Sequence, residues 1–259
     1  MPSELPTILF VPGAWHKPWV FDLVRDDLAS RGYPTAAVAL PSVGSTDVNA
    51  GLSQDANAVR DELRGLIDAG REVVVVAHSY GGIPVANAVE GFNYKDRTAQ
   101  KKSGGVLMII YMASFAIPAD ESLSDGDEMQ PWVYITDEFI STRDPISIFY
   151  ADVEPSLAAQ AAAALCSQPC KTFLDKSGFE PWNEGFEMGY IFAEDDRALA
   201  LDKQIEMSSQ FPASSFTATI NSGHSPFLSM PEVLGKTIQQ AAQVAAARKA
   251  SSREARPLL

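Results

Sequence analysis

The sequence predicts a doubly wound α/β architecture, a mostly parallel sheet covered by helices on both faces, carrying an inserted, mainly helical lid. Three observations carry this reading. Short continuous apolar runs alternate with amphipathic helical stretches, the pattern of parallel strands buried on both sides. Glycine or proline closes the early runs. The alternation lapses once, over residues 114–186, where acidic loops, prolines and aromatic residues replace it. With 259 residues and no Pro/Gly/Ser-rich linker, the chain reads as one core, residues 1–113 and 187–259, with 114–186 as the lid.

In chain order, TILFVPG from Thr7 to Gly13 is a buried strand closed by Pro12-Gly13, and WVFDLVRDDLASRG from Trp19 to Gly32 is an amphipathic helix. TAAVAL from Thr35 to Leu40 repeats the strand, ending before Pro41. The helix Ser53 to Gly70 follows, with Ala56, Val59, Leu63, Leu66 and Ile67 on one face. A valine strand then runs from Val73 into AHSYGG and a small-residue helix. GVLMIIYMAS (105–114), MGYIFAED (188–195) and SSFTATIN (214–221) supply three more strands. Within the lid, Pro155 to Leu165 is an alanine-rich helix, and the aromatic residues there mark a cover over an apolar pocket.

Composition narrows the partners. A net charge of −13 argues against nucleic acid, whose phosphates are bound chiefly by lysine and arginine. The basic tail around Arg248, Lys249, Arg253 and Arg256 reads as a solvated helix end. Apolar runs at 73–77 and 106–113 fall far short of the roughly 20 residues of a membrane-spanning helix. Residues 1–7 show no charged-then-apolar signal pattern, so a cytoplasmic location is expected. Cys166 and Cys170, three residues apart with no histidine nearby, read as ordinary thiols, neither a metal site nor a disulfide framework. The acidic run Ser124 to Met129 lacks the ligand series of a calcium loop. No metal or cofactor is expected, and composition leaves the number of copies open, a dimer included.

Ligands of doubly wound sheets bind beyond the carboxyl ends of the strands, so the chemistry is sought there. Ser79, between Ala77 and Gly81 with strand before and helix after, fits a nucleophile elbow. A serine needs a base, and the base an orienting group. Of three histidines, His78 adjoins Ser79 on a strand and points to the opposite face. His16 follows the first strand, either reaching the pocket mouth or serving as a hydrogen-bonded loop residue. His224, after the last strand in SGHSPFLSMPEVL, occupies the place of the base in the order serine, acid, histidine. The acid follows MGYIFAED: Asp196, one residue further into the loop, is preferred to Asp195. Oxyanion stabilisers would be the Tyr80 amide, after the nucleophile, and the Ala14 amide from the loop after the first strand. Trp15 reads as pocket wall or packing residue, and Phe115, Trp132 and Phe227 as further substrate contacts.

On FVPGAWHKPW, AHSYGG, AEDDRAL and SGHSPFLSMPEVL, in that order, the chain resembles the α/β-hydrolase superfamily over nearly its whole length. The resemblance is to the small-lid group of plant methyl-ester esterases, hydroxynitrile lyases and their bacterial and fungal relatives. In that group the aspartate before an Arg/Lys-Ala pair is the acid, which implies Asp196. Two departures stand out: Pro12-Gly13 replaces the group's His-Gly, and Ser225 stands where its hydroxynitrile lyases carry a lysine, which argues against cyanide release. The expected activity is hydrolysis of a small, largely apolar carboxylic ester or lactone through Ser79, His224 and Asp196. Two alternatives use the same scaffold: a non-hydrolytic lyase, decarboxylase or cyclase with His224 as acid/base, and a ligand-binding protein of low turnover.

Overall fold

The structure, a computed structural model, describes residues 4–125 and 129–254. Residues 126–128 of the acidic run and Arg256 of the basic tail lie outside the described residues. Strands β1 (Thr7–Val11), β2 (Thr35–Ala37), β3 (Glu72–His78) and β4 (Gly105–Met112) come first; β5 (Val133–Thr136), β6 (Phe139–Thr142) and β7 (Gln168–Pro169) lie in the 114–186 segment; β8 (Met188–Ala193) and β9 (Phe216–Ile220) follow. The helices that position the site are α1 (Asp22–Ser30), α2 (Leu52–Asp68), α3 (Gly82–Ala88), α4 (Tyr94–Ala99), α5 (Pro145–Phe149), α6 (Pro155–Ala163), α7 (Lys171–Leu174), α8 (Leu201–Ser208), α9 (Pro226–Ser229) and α10 (Pro231–Glu254).

Six strands pair in parallel in the order β2-β1-β3-β4-β8-β9. All of β4 and all of β3 after Glu72 are buried, so both faces of the sheet's centre are covered. Helix α1 packs against α10, and α2 against α3. Edge strands are half-buried: β2 has three residues, and β9 alternates in burial as an edge strand does. Strand β2 therefore stops before Val38, three residues earlier than the apolar run TAAVAL implies, because it has a partner on one side only.

Strand order reverses at β1, with β2 on one side and β3 on the other. The crevice between the carboxyl ends of β1 and β3 is thus the topological switch point, where this class of sheet binds ligands. Chain segments 12–16 and 79–82 both start there.

The insertion between β4 and β8 holds α5, α6 and α7, but also a three-stranded antiparallel ribbon in the order β5-β6-β7. The sequence reading missed this ribbon. Its strands are four, four and two residues long, the last including Pro169, too short to show a period of two. No helix among the described residues is long and apolar enough to cross a membrane, and both cysteines are free thiols.

Candidate active site

Strand β3 delivers Ser79 into a turn where its φ is +51°, a left-handed conformation costing on the order of 1 kcal/mol for a residue with a side chain. The turn is held rather than tolerated. The Ser79 carbonyl accepts hydrogen bonds from Ser114 Oγ (2.7 Å) and the Phe115 amide (3.1 Å), and Ser114 is tied through its amide and carbonyl to the Tyr190 hydroxyl. Small neighbours are obligatory. A Cβ on Gly81 would lie 2.6 Å from the Pro12 carbonyl oxygen, and one on Gly82 2.3 Å from that of Phe115.

His224 sits in the loop after β9 and is buried. Its Nδ1 donates to Asp196 Oδ2 at 2.8 Å, which leaves Nε2 as the unprotonated, basic nitrogen. Asp196 is fixed by the Ala198 and Leu199 amides on Oδ1 (2.8 and 2.9 Å) and by Gln204 Nε2 on Oδ2 (3.4 Å). Asp195, by contrast, is exposed. Only Asp196 therefore meets the imidazole.

No hydrogen bond joins Ser79 Oγ to the His224 ring among the described residues; such bonds often close only with substrate in place. His78, the residue before Ser79, contacts His224. Its Nε2 donates to the His224 carbonyl at 2.9 Å, and the two rings are 4.6 Å apart. His78 therefore packs against His224, and Gly13 lies between its ring and the Ser79 Cβ, so it is not set apart from the site as strand alternation alone predicts.

The loop after β1 supplies Ala14, Trp15 and His16. The Ala14 amide donates to no described residue, and Trp15 has a φ of +66°. His16 is not solvated: Nδ1 donates to the Ala14 carbonyl (2.6 Å) and Nε2 accepts the Tyr150 hydroxyl (2.7 Å). Burial and the neighbouring His224 hold its pKa down at about 4, against a backbone hydrogen bond that raises it. The folded protein then binds fewer protons than the unfolded chain between about pH 6.5 and pH 4, so stability falls as pH falls through that window. A drop of about 3 kcal/mol from this residue is expected, and burial pushes His78 the same way. Thermal melts of His16→Gln should show a flatter decline between pH 7 and pH 4.5 than wild type; parallel declines would refute the assignment.

Aromatic rings enclose the site. Trp15 lies 6.0 Å from Trp132, 5.7 Å from Phe149 and 5.8 Å from Phe173, and Phe149 lies 5.5 Å from the His224 ring. Trp132 and Phe115 are half-buried. Ser79 keeps 8% exposure and His224 2%, so these rings close the crevice. Phe227 is placed differently from the expectation for a substrate wall. It is fully buried against Phe21 (4.9 Å) and His78 (4.8 Å), behind the histidines, because α9 folds back onto the core.

Sequence reasoning overlooked Ser114 and Gln204, while Phe149 and Tyr150 belong to the lid aromatics it reads as a cover over the pocket. Ser114 was findable, since it stands at the carboxyl end of β4, where the rule that located Ser79 also applies. Gln204 reaches the site from α8, and no local pattern marks it. Among the described residues, no group of three or more His, Cys, Asp or Glu side chains is arranged to hold a metal ion.

Comparison with known proteins places the chain by family and fold. A model described as the alpha/beta hydrolase family matches residues 8–236. An alpha/beta hydrolase of Aspergillus novofumigatus, nvfD, is 30% identical over 246 residues, covering 92% of this chain and 96% of its own. Among solved structures, a methylesterase of Arabidopsis, MES16, superposes with a TM-score of 0.74 at 20% identity, covering 93% of this chain and all of its own. A pyrethroid hydrolase of Sphingobium faniae gives 0.72 at 20% identity, covering 93% and 99%.

Proposed function

The chain belongs to the alpha/beta hydrolase family, and from that premise we propose that it is a serine hydrolase of small, largely apolar carboxylic esters or lactones. One observation carries the reading: a serine held at φ +51° on the elbow after β3, with a histidine tethered behind it whose Nδ1 is bound to Asp196 at 2.8 Å. Ser79 Oγ attacks the acyl carbon while His224 Nε2 takes its proton. Asp196 keeps the other ring nitrogen protonated and stabilises the imidazolium. The Ala14 and Tyr80 amides receive the negative charge on the former carbonyl oxygen. His224 then returns the proton to the leaving alkoxide, an acyl-serine remains, and a water activated by the same nitrogen releases the acid.

The aromatic enclosure favours an apolar acyl or alcohol group, which gains by leaving water for the rings of Trp15, Trp132, Phe149 and Phe173. Esters are also the substrates named for the methylesterase relatives. Ser79 is only 8% exposed, so substrate entry calls for side-chain movement among the rings around Trp132 and Phe149, with the contacts of the insertion to Trp15 kept.

The test is covalent labelling with a fluorophosphonate followed by peptide mapping, alongside turnover of p-nitrophenyl, methyl and lactone substrates in oxygen-18 water. The adduct should map to Ser79, and one oxygen-18 should enter the product acid. Labelling elsewhere, or product formed without solvent oxygen, would overturn hydrolysis and favour lyase or cyclase chemistry.

A further inference from the structure

We propose that Asp55 and the buried chain Tyr80–Asp55–Ser42–Gln168 are positioning residues for the oxyanion site, linking its two backbone segments through α2 and the insertion; this rests on the reading of Ser79 as nucleophile.

Asp55 lies in the first turns of α2 and is fully buried. Burying a carboxylate without compensation costs several kcal/mol. No cation pairs with it among the described residues. Its compensation is three hydrogen bonds: from the Ser42 amide (2.9 Å), Ser42 Oγ (2.6 Å) and the Tyr80 hydroxyl (2.8 Å). Nor is it spent on its own helix, whose start is capped by Gln54 Oε1 on the Gly51 amide and Asp175 on the Leu52 amide.

The chain continues beyond Asp55. Ser42 Oγ accepts from Gln168 Nε2 (2.6 Å), and Gln168 Oε1 accepts the Trp15 amide (2.6 Å). Every donor therefore points in one sense, toward the Asp55 carboxyl group, whose pKa burial raises against the hydrogen bonds from Ser42 and Tyr80. One end is Tyr80, which follows the nucleophile. The other is the amide of Trp15, adjacent to Ala14.

Trp15 shows why the loop needs holding. At φ +66° it is a bulky residue in a disfavoured conformation, and an unrestrained loop would relax. Three bonds from the insertion hold it: Gln168 on its amide, the Cys166 amide on its carbonyl (3.0 Å), and its own indole Nε1 on the Ile140 carbonyl (3.0 Å). The insertion is thus part of the oxyanion loop's scaffold as well as its cover.

The test is steady-state hydrolysis of p-nitrophenyl butyrate by Tyr80→Phe, Gln168→Met and the double variant. Each single change should lower kcat roughly 10- to 100-fold with KM little changed, because the oxyanion is held only in the transition state. Since both break one chain, the double variant should lose little more than the worse single. A kcat loss under about fivefold in either single variant, a loss carried by KM, or losses that multiply would overturn the proposal. Ser42→Ala, which cuts the same chain at its middle, takes the place of any variant that fails to fold. Wild type inert to this ester and to the fluorophosphonate would instead overturn the parent reading.

Discussion

Ser79→Ala should lower kcat for ester hydrolysis by roughly 10⁴- to 10⁶-fold and abolish fluorophosphonate labelling, with folding unaffected. The size follows from removing the nucleophile itself, after which only oxyanion stabilisation and binding remain to accelerate attack by water. Folding should survive because the parts of Ser79 that build the elbow are backbone. Its carbonyl is held by Ser114 and Phe115, and alanine keeps the Cβ beside which Gly13 must pass, at 2.8 Å from where a Gly13 Cβ would stand. Thermal melting alongside kinetics separates the cases. An unchanged melting temperature with turnover intact would eliminate Ser79 as nucleophile.

Asp196→Asn is expected to cost about 10⁴-fold in kcat, while Asp195→Asn stays within about twofold. The asparagine would keep an oxygen for the Ala198 and Leu199 amides, so the loop should hold its shape. Its NH2 group, however, would face His224 Nδ1 as a donor. The ring would then accept at Nδ1 and carry its proton on Nε2, the nitrogen that must be free to take one from serine. Asp195 is exposed and its amide is bound to the Ser222 carbonyl, a contact that substitution leaves intact. Equal losses in the two variants would show that the loop as a whole, and not the Asp196 carboxylate, matters.

Much of this was legible before the fold was known, and the residues show why. The valine run before Ser79 and the glycines after it report a local event, a strand ending in a turn, and local geometry is written in neighbouring side chains. His224 was identified by its position after the final strand, a consequence of chain order. Asp196 is preferred on its loop position, with the resemblance as separate support, and its carboxylate lies 2.8 Å from His224 Nδ1. The antiparallel ribbon escaped because strands of two to four residues carry too little periodicity. Phe227 reads from the sequence as a substrate contact, yet α9 turns its ring against Phe21 and His78.

The hydrogen-bonded chain through Asp55 marks the boundary most clearly. Its members are spread over Trp15, Ser42, Asp55, Tyr80 and Gln168, with partners up to 153 positions apart. Each looks ordinary in its own stretch: an acid in a helix's first turns, a loop serine, a glutamine near a proline. The sequence by itself determined the alternating strands and helices, the turn at Ser79 and the chain order of Ser79, Asp196 and His224, because these depend on backbone conformation and burial along short spans. Only the tertiary structure decided that His78 packs against His224, that Phe149 lies beside it, and that a buried carboxylate links the Tyr80 hydroxyl to the Trp15 amide through Ser42 and Gln168. Those are contacts between remote segments, and they exist only once the sheet has brought the ends of β1 and β3 side by side.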